Sequence, residues 1–203
     1  DQLITEYGGD ALLKISKPEK LVIQAYRQFN QQVSNHKSYD KSLHKLNELI
    51  DYCLKYAPTT DDALVTYILG TTYLNLKDFE EAIIHFQKTI KLGGKLAYPY
   101  TGWGAALANL KDFKGAIAQY KIATQKDPED ALTDFNWGNA LANLRDFKGA
   151  IAKYKIATQR DPEYALAYFN WGNALTKLGR DEEAKTKFQK AKNNEQAPLI
   201  LFR

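Results

Sequence analysis

The chain has 203 residues, of which 44% are hydrophobic and 26% are charged, and its formal net charge is +4. This balance is typical of a folded globular chain and excludes a disordered one. No stretch reaches the ~18–20 uninterrupted apolar residues that a membrane-spanning helix needs. A single cysteine, Cys53, excludes an internal disulfide framework. The interspersed charges lack the concentrated basic stripe that predicts binding to nucleic acid.

The sequence contains no methionine, not even at position 1. We therefore expect a processed or trimmed chain, from which a targeting signal could have been removed. The lone thiol favours a reducing compartment, and a cytoplasmic location is the expectation that follows.

The N-terminal third predicts an atypical helix hairpin after a lead-in segment. Residues 1–15 carry only a weak apolar pattern. Ser16-Lys-Pro-Glu19 has the form of a capping box, which marks the start of a helix. A second helix is expected from about Tyr39, and the interval from Tyr39 to Phe79 is 40 residues. We therefore predict a hairpin over residues 16–62 with a second helix longer than in the 34-residue units that follow.

Four units of 34 residues follow without a gap, at 63–96, 97–130, 131–164 and 165–198. The second and third units are identical at 24 of their 34 positions. In each unit apolar residues fall at helical spacing on both sides of a polar turn, which predicts a hairpin of two helices. Such a hairpin leaves one apolar face that only a neighbouring hairpin can bury. Residues 199–203 form an apolar C-terminal tail.

Residues that recur every 34 positions also predict how the two helices of a hairpin pack. Small residues are expected to face each other, so that the helices approach closely. The expected pairs are Gly104 with Ala116, Gly138 with Ala150, and Gly172 with Ala184. The tryptophans are interpreted as core side chains between the helices of each hairpin, not as a cofactor site. They are Trp103, Trp137 and Trp171.

This pattern resembles the tetratricopeptide repeat family. The third unit carries the family's residue types in register, namely Trp137-Gly138, Phe147, Ala150, Tyr154, Ala157 and Pro162. The resemblance covers residues 63–198 and implies an all-α, right-handed solenoid of stacked helix hairpins, with residues 16–62 as a degenerate repeat. It also implies a non-catalytic module that binds an extended peptide segment of a partner protein in a concave groove.

The register of the repeats predicts which side chains line that groove. They belong to the first helix of each hairpin and form an aromatic and asparagine surface with almost no charge. The predicted set is Tyr67, Thr71, Asn75, Tyr98, Thr101, Asn109, Phe135, Asn136, Asn139, Asn143, Phe169, Asn170, Asn173 and Lys177.

Two interpretations of the groove asparagines remain open. In the first they hydrogen-bond a peptide backbone, because a side-chain amide offers two donors and an acceptor. This is similar to the asparagine ladder in the repeats of O-linked N-acetylglucosamine transferase. In the second they are structural, with Asn139 and Asn173 holding neighbouring hairpins in register. The carboxylate clamp of co-chaperone repeats is not expected. Where that clamp needs Lys or Arg, this chain has Tyr67, Leu132, Leu166 and Asn170.

No constellation of residues predicts catalysis, a metal or a cofactor. The three histidines, His36, His44 and His85, lack metal-ligand spacing, and no glycine-rich phosphate loop occurs. Cys53 lies on the inward stripe of a predicted helix with no obvious acid or base partner. We therefore predict that the chain is not an enzyme and binds no cofactor or metal.

The expected partner is another protein or peptide, and two alternatives to groove binding remain open. A structural scaffold could assemble through its ends. The residues that would mediate this self-association are Pro198, Leu199, Ile200, Leu201 and Phe202. The chain could also be the recognition portion of a larger enzyme.

Overall fold

The structure, a computed structural model, describes residues 63–93 and 96–196. Within these residues it contains eight α-helices and no strand, which confirms the all-α prediction. The helices are α1 (Ala63–Asn75), α2 (Phe79–Lys91), α3 (Tyr98–Asn109), α4 (Phe113–Lys126), α5 (Ala131–Asn143), α6 (Phe147–Arg160), α7 (Ala165–Lys177) and α8 (Asp181–Gln196). The predicted lead-in, N-terminal hairpin and C-terminal tail lie outside the described residues, so self-association through residues 198–202 stays a prediction.

The helices pack as hairpins in two compact units, Asp1–Gly94 and Lys95–Arg203. In the described part of the first unit, α1 and α2 form one hairpin. In the second unit, α3 with α4, α5 with α6, and α7 with α8 form three hairpins. The second helix of a hairpin also packs on the first helix of the next, α4 on α5 and α6 on α7. The chain is therefore a helical repeat solenoid, in which each hairpin buries its apolar face on its neighbour.

The two helices of a hairpin are joined by a recurrent backbone motif. Between α5 and α6, the Asp146 N–H donates to the Leu141 carbonyl at 2.9 Å, and Arg145 has a φ of 62°. This is the hydrogen bond and left-handed residue of a Schellman motif. The Asp146 carboxylate then accepts from the Gly149 N–H at 2.9 Å, so one residue closes a helix and caps the next. The equivalent capping residues are Asp78 and Asp112.

The left-handed position in these turns provides a test of backbone strain. It is occupied by Lys77, Lys111 and Arg145, and by Gly179 in the last hairpin. We expect Arg145→Gly to raise the free energy of unfolding by about 0.5–1 kcal/mol, because left-handed angles strain a residue that has a Cβ.

Urea unfolding followed by circular dichroism measures this effect. Gly179→Ala is the matched control, since a Cβ there meets no atom within 4 Å and only the backbone term changes. We expect it to lower the unfolding midpoint. A lower midpoint for Arg145→Gly would contradict the prediction.

The close approach within a hairpin joins a glycine to an aromatic ring. A Cβ on Gly138 would lie 2.6 Å from Cε1 of Tyr154, whose side chain is fully buried. The ring therefore lies flat against the backbone of α5. The corresponding pairs are Gly104 with Tyr120 and Gly172 with Phe188.

The predicted contact between Gly138 and Ala150 is therefore wrong, and so are its equivalents at Gly104 with Ala116 and Gly172 with Ala184. Ala150 belongs instead to the cluster that α6 shares with α7, together with Tyr154 and Ala174. The physical reason is that a ring fills the space over the glycine, which two small residues could close only by bringing the backbones together.

The tryptophans lie at the junction of consecutive hairpins. Trp137 packs against the cluster shared by α4 and α5, which consists of Ala116, Tyr120 and Ala140. Its ring is also covered by Lys153, whose Nζ lies 3.4 Å from the ring centroid. Lys187 covers Trp171 at 3.8 Å in the same way. The interpretation of the tryptophans as core between the helices of one hairpin is wrong, because Gly138 already takes that contact.

A buried carboxylate distinguishes the third repeat from its neighbours. Asp134 on α5 is fully buried and pairs with Lys153 at 3.0 Å and with Arg160. The equivalent residues of the adjacent repeats are Tyr100 and Tyr168. Burial lowers the pKa of Lys153, so its ammonium needs the carboxylate to stay charged at low cost. The third repeat is thus the one in which a charge network replaces an aromatic ring.

Candidate functional site

Two recesses open to solvent lie between the first helices of consecutive hairpins in the second unit. One lies between α3 and α5 and has a volume of about 210 Å³. The other lies between α5 and α7 and has a volume of about 420 Å³. The smaller is lined by Ala105, Ala108, Asn109, Phe113, Tyr120, Asn136, Asn139, Ala140 and Asn143. The larger is lined by Asn139, Ala142, Asn143, Phe147, Tyr154, Asn170, Asn173, Ala174 and Lys177.

The two recesses are built from the same nine repeat positions, each shifted by 34 residues. Only two positions change residue type. Ala105 is replaced by Asn139, and Asn143 is replaced by Lys177. The repeat therefore presents one binding surface twice, with a single charge added at its α7 end.

Exposed apolar side chains lie on the same helices. Leu132 on α5 is 49% exposed, and Leu166 and Phe169 on α7 are 56% and 47% exposed. Phe169 lies three residues after Leu166 and one before Asn170, a spacing that puts all three on one helix face. We call the two recesses and these three apolar residues the first-helix surface.

Asn139 ties three helices together. Its Oδ1 accepts from the Tyr154 hydroxyl of α6 at 2.8 Å and from the Asn170 Nδ2 of α7 at 2.8 Å. Burial raises the pKa of Tyr154, which keeps its hydroxyl protonated as a donor. Ala105 offers no such acceptor in the preceding repeat, so this tie belongs to the larger recess alone.

The other asparagines of the first-helix surface differ in how far they are used internally. The Asn143 Nδ2 donates to the carbonyl of Asn139 at 2.9 Å, and Asn109 does the same to Ala105. Asn136 and Asn173 make no hydrogen bond within the described part of the chain. The structural interpretation therefore fits Asn139, whereas the side-chain amides of Asn136 and Asn173 keep both donors and the acceptor for a ligand.

Not every residue predicted for the groove lies on this surface. Thr101 is buried, and its hydroxyl lies 2.6 Å from that of Thr133. The reason is its place in the first turn of α3, where it packs against the next hairpin. Phe135 is half-buried, with its ring centroid 4.8 Å from that of Tyr164. Tyr98 is half-buried at the start of α3.

Three predicted residues belong to the first unit. Tyr67, Thr71 and Asn75 lie on α1, where the Tyr67 ring packs 6.0 Å from Phe86 and the Thr71 hydroxyl donates to the Ile68 carbonyl. The structure describes them only within that unit. They are therefore not brought together with the residues of the two recesses.

Sequence reasoning left Leu132 and Leu166 out of the predicted groove set. Both entered only as residues that do not fit a carboxylate clamp. The available signal was their position: each lies three residues before a predicted groove aromatic on the same helix, Phe135 or Phe169.

Among residues 63–93 and 96–196, no three or more His, Cys, Asp or Glu side chains are grouped so as to hold a metal ion. In the same described part, no helix has both the length and the apolar character needed to cross a membrane.

The hairpin, its turn and the stacking described above define a class of helical repeat proteins. Models of the tetratricopeptide repeat match residues 135–198 and residues 65–92. The chain belongs to the tetratricopeptide repeat family. It is thereby a protein–protein interaction module of a family whose members are generally non-catalytic.

Solved structures of tetratricopeptide repeat proteins share the fold. A crystal structure of MamA is 23% identical, covers 77% of this chain and 88% of its own, and has a TM-score of 0.64. MamA from residue 41 to its end, from Desulfovibrio magneticus RS-1, is 22% identical with coverages of 90% and 98% and a TM-score of 0.65. YrrB, described as a protein with an unusual peptide-binding site, is 20% identical with coverages of 90% and 94% and a TM-score of 0.60. A search of curated protein sequences gave no significant match.

Proposed function

We propose that the first-helix surface binds an extended segment of another protein. The observation that carries this proposal is the duplication of one open recess at nine equivalent repeat positions. A surface that repeats along the stacked hairpins suits a ligand that is itself extended. The peptide-binding site described for YrrB, which shares the fold, supports the same conclusion.

The chemistry of the surface supports a peptide ligand. Asn136 and Asn173 offer amide groups that can pair with a peptide N–H and carbonyl whatever its sequence. Leu132, Leu166 and Phe169 offer apolar area on which side chains can be buried. The surface carries almost no charge, so binding should depend little on salt.

Panning a random dodecapeptide phage library on the full chain tests the proposal. Selected peptides are then labelled and titrated with the protein by fluorescence anisotropy. We expect Phe169→Ala to weaken binding by about 2 kcal/mol, as for a buried aromatic anchor. Leu144→Ala is the control, because Leu144 is also exposed but lines neither recess. Failure to enrich any peptide, or equal affinity of the two variants, would contradict the proposal.

The asparagines give a second test, which separates binding from stability. We expect Asn139→Ala to lower the free energy of unfolding by about 1–2 kcal/mol, since the buried Tyr154 hydroxyl loses its acceptor. Asn173→Ala should leave stability unchanged and weaken peptide binding by about 0.5–1.5 kcal/mol. Urea unfolding and anisotropy are measured on both variants. If Asn173→Ala spares binding, the exposed asparagine is not part of the site.

A further inference from the structure

We infer that the segment bound by the first-helix surface is a polyproline II stretch with an apolar side chain at every third position and a carboxylate that pairs with Lys177. This inference rests on the proposed function and specifies its ligand. It follows from the spacing of the two recesses, from the hydrogen-bonding groups they offer and from the single charge on them.

The first step is the spacing. The side chains of α5 and α7 touch directly through the bond between Asn139 and Asn170, and axes of helices in contact lie about 8–10 Å apart. A polyproline II helix rises about 3.1 Å per residue with three residues per turn, so equivalent side chains recur every ~9.3 Å. A β-strand repeats a face every ~6.6 Å, because it rises about 3.3 Å per residue and alternates faces. Polyproline II therefore matches one turn to one repeat, and a strand does not.

The second step is the backbone. Two turns of an α-helix advance about 10.8 Å, which also approaches the repeat spacing. However, an α-helix satisfies its own N–H and C=O groups, whereas a polyproline II backbone leaves them free. Asn136 and Asn173 each present an amide that no described residue occupies. These amides need a ligand with an open backbone, which favours polyproline II over a helix.

The third step is the arrangement of side-chain rows. A polyproline II segment has three rows of side chains. One row would lie over the apolar residues near the N-terminal ends of α5 and α7, at Leu132, Leu166 and Phe169. A second row would point into the recesses near the C-terminal ends of these helices, and the third would face solvent. The apolar row requires an apolar residue at every third position.

The fourth step is charge complementarity. Lys177 is the one charged residue among those that line the two recesses. It is exposed and makes no ion pair in the part of the chain that the structure describes. Its counterpart in the smaller recess is Asn143. A carboxylate in the ligand row that points into the larger recess would pair with Lys177, and this contact would set the register of the segment on the two repeats.

Two labelled dodecapeptides of identical composition, each with three leucines in a proline and alanine host, test the spacing. One has leucine at every third position and the other at every second. We expect the full chain to bind the first at least tenfold more tightly. Leu132→Ser combined with Leu166→Ser should remove that advantage. Leu110→Ser combined with Leu144→Ser, which changes two leucines of similar exposure outside the surface, should retain it.

A glutamate and its glutamine analogue in the recess-facing row test the charge. We expect Lys177→Ala to weaken binding of the glutamate peptide three- to tenfold and to leave the glutamine peptide unchanged. Lys148→Ala, at an exposed lysine on α6, is the control.

The outcomes separate this inference from the proposed function. Equal affinity for the two leucine spacings, or an equal effect of Lys177→Ala on both charge variants, would overturn the inference. If library-selected peptides lack the three-residue spacing yet depend on Phe169, the proposed function stands and the inference fails. If neither library-selected nor designed peptides bind, the proposed function fails and the inference with it.

Discussion

Gly138→Leu is expected to lower the free energy of unfolding by about 3 kcal/mol, because it forces volume into a packed contact. Even the Cβ would lie 2.6 Å from Cε1 of Tyr154 and 2.8 Å from Cδ1. The ring has no room to retreat, since it is buried and its hydroxyl is bonded to Asn139. Urea unfolding of the full chain measures the loss.

Two variants calibrate this result. Gly138→Ala adds the Cβ alone and should destabilise less, because alanine improves helix propensity by about 1 kcal/mol and offsets part of the clash. Ala152→Leu adds the same bulk as Gly138→Leu at an exposed site on α6, and should change stability by under about 0.5 kcal/mol. If Gly138→Leu unfolds at the midpoint of the unmodified chain, the glycine does not face the ring and the assigned register is wrong.

Asp134→Ala is expected to cost about 3 kcal/mol, because it leaves two cations without their carboxylate. Lys153 and Arg160 keep 18% and 17% of their side-chain surface exposed, so they can partly return to water. We therefore expect the lower end of the 3–5 kcal/mol typical of a broken buried pair. The shift in urea midpoint measures it.

The neighbouring repeats supply the control for this charge network. In the second repeat, Lys126 lies with its Nζ 5.3 Å from the centroid of the Tyr100 ring. Asp134→Tyr combined with Arg160→Lys copies that arrangement into the third repeat. We expect the double variant to be more stable than Asp134→Ala by about 1–2 kcal/mol, since a ring replaces the lost partner. If Asp134→Ala matches the unmodified chain, the buried ion pairs contribute nothing to stability.

The sequence alone determined the repeat, the helix hairpin and its stacking. The 34-residue period and the helical spacing are local properties, and they required no knowledge of distant contacts. The caps followed as well, because Asp78, Asp112 and Asp146 precede their helices at the spacing that a capping side chain needs. Each unit could therefore be read correctly as two helices and a turn.

The tertiary structure decided which faces those helices present to one another. Repeat register places Gly138 and Ala150 at the right level to meet, but it does not say that the Tyr154 ring covers the glycine first. Trp137 then faces the preceding hairpin, because the glycine beside it holds the contact with α6. Helical periodicity fixes an apolar stripe but not which of its residues is in the centre.

The candidate site shows the same division. The sequence placed Asn139 and Asn173 at equivalent positions of two repeats, and from their identity alone both were a ladder or a tie. Only the structure separates them, because Tyr154 and Asn170 converge on Asn139, whereas nothing in the described chain follows α7 to offer Asn173 the same partners. A side chain's role depends on the groups that reach it from other helices, and a repeated sequence gives equivalent residues unequal surroundings wherever the neighbouring repeat differs.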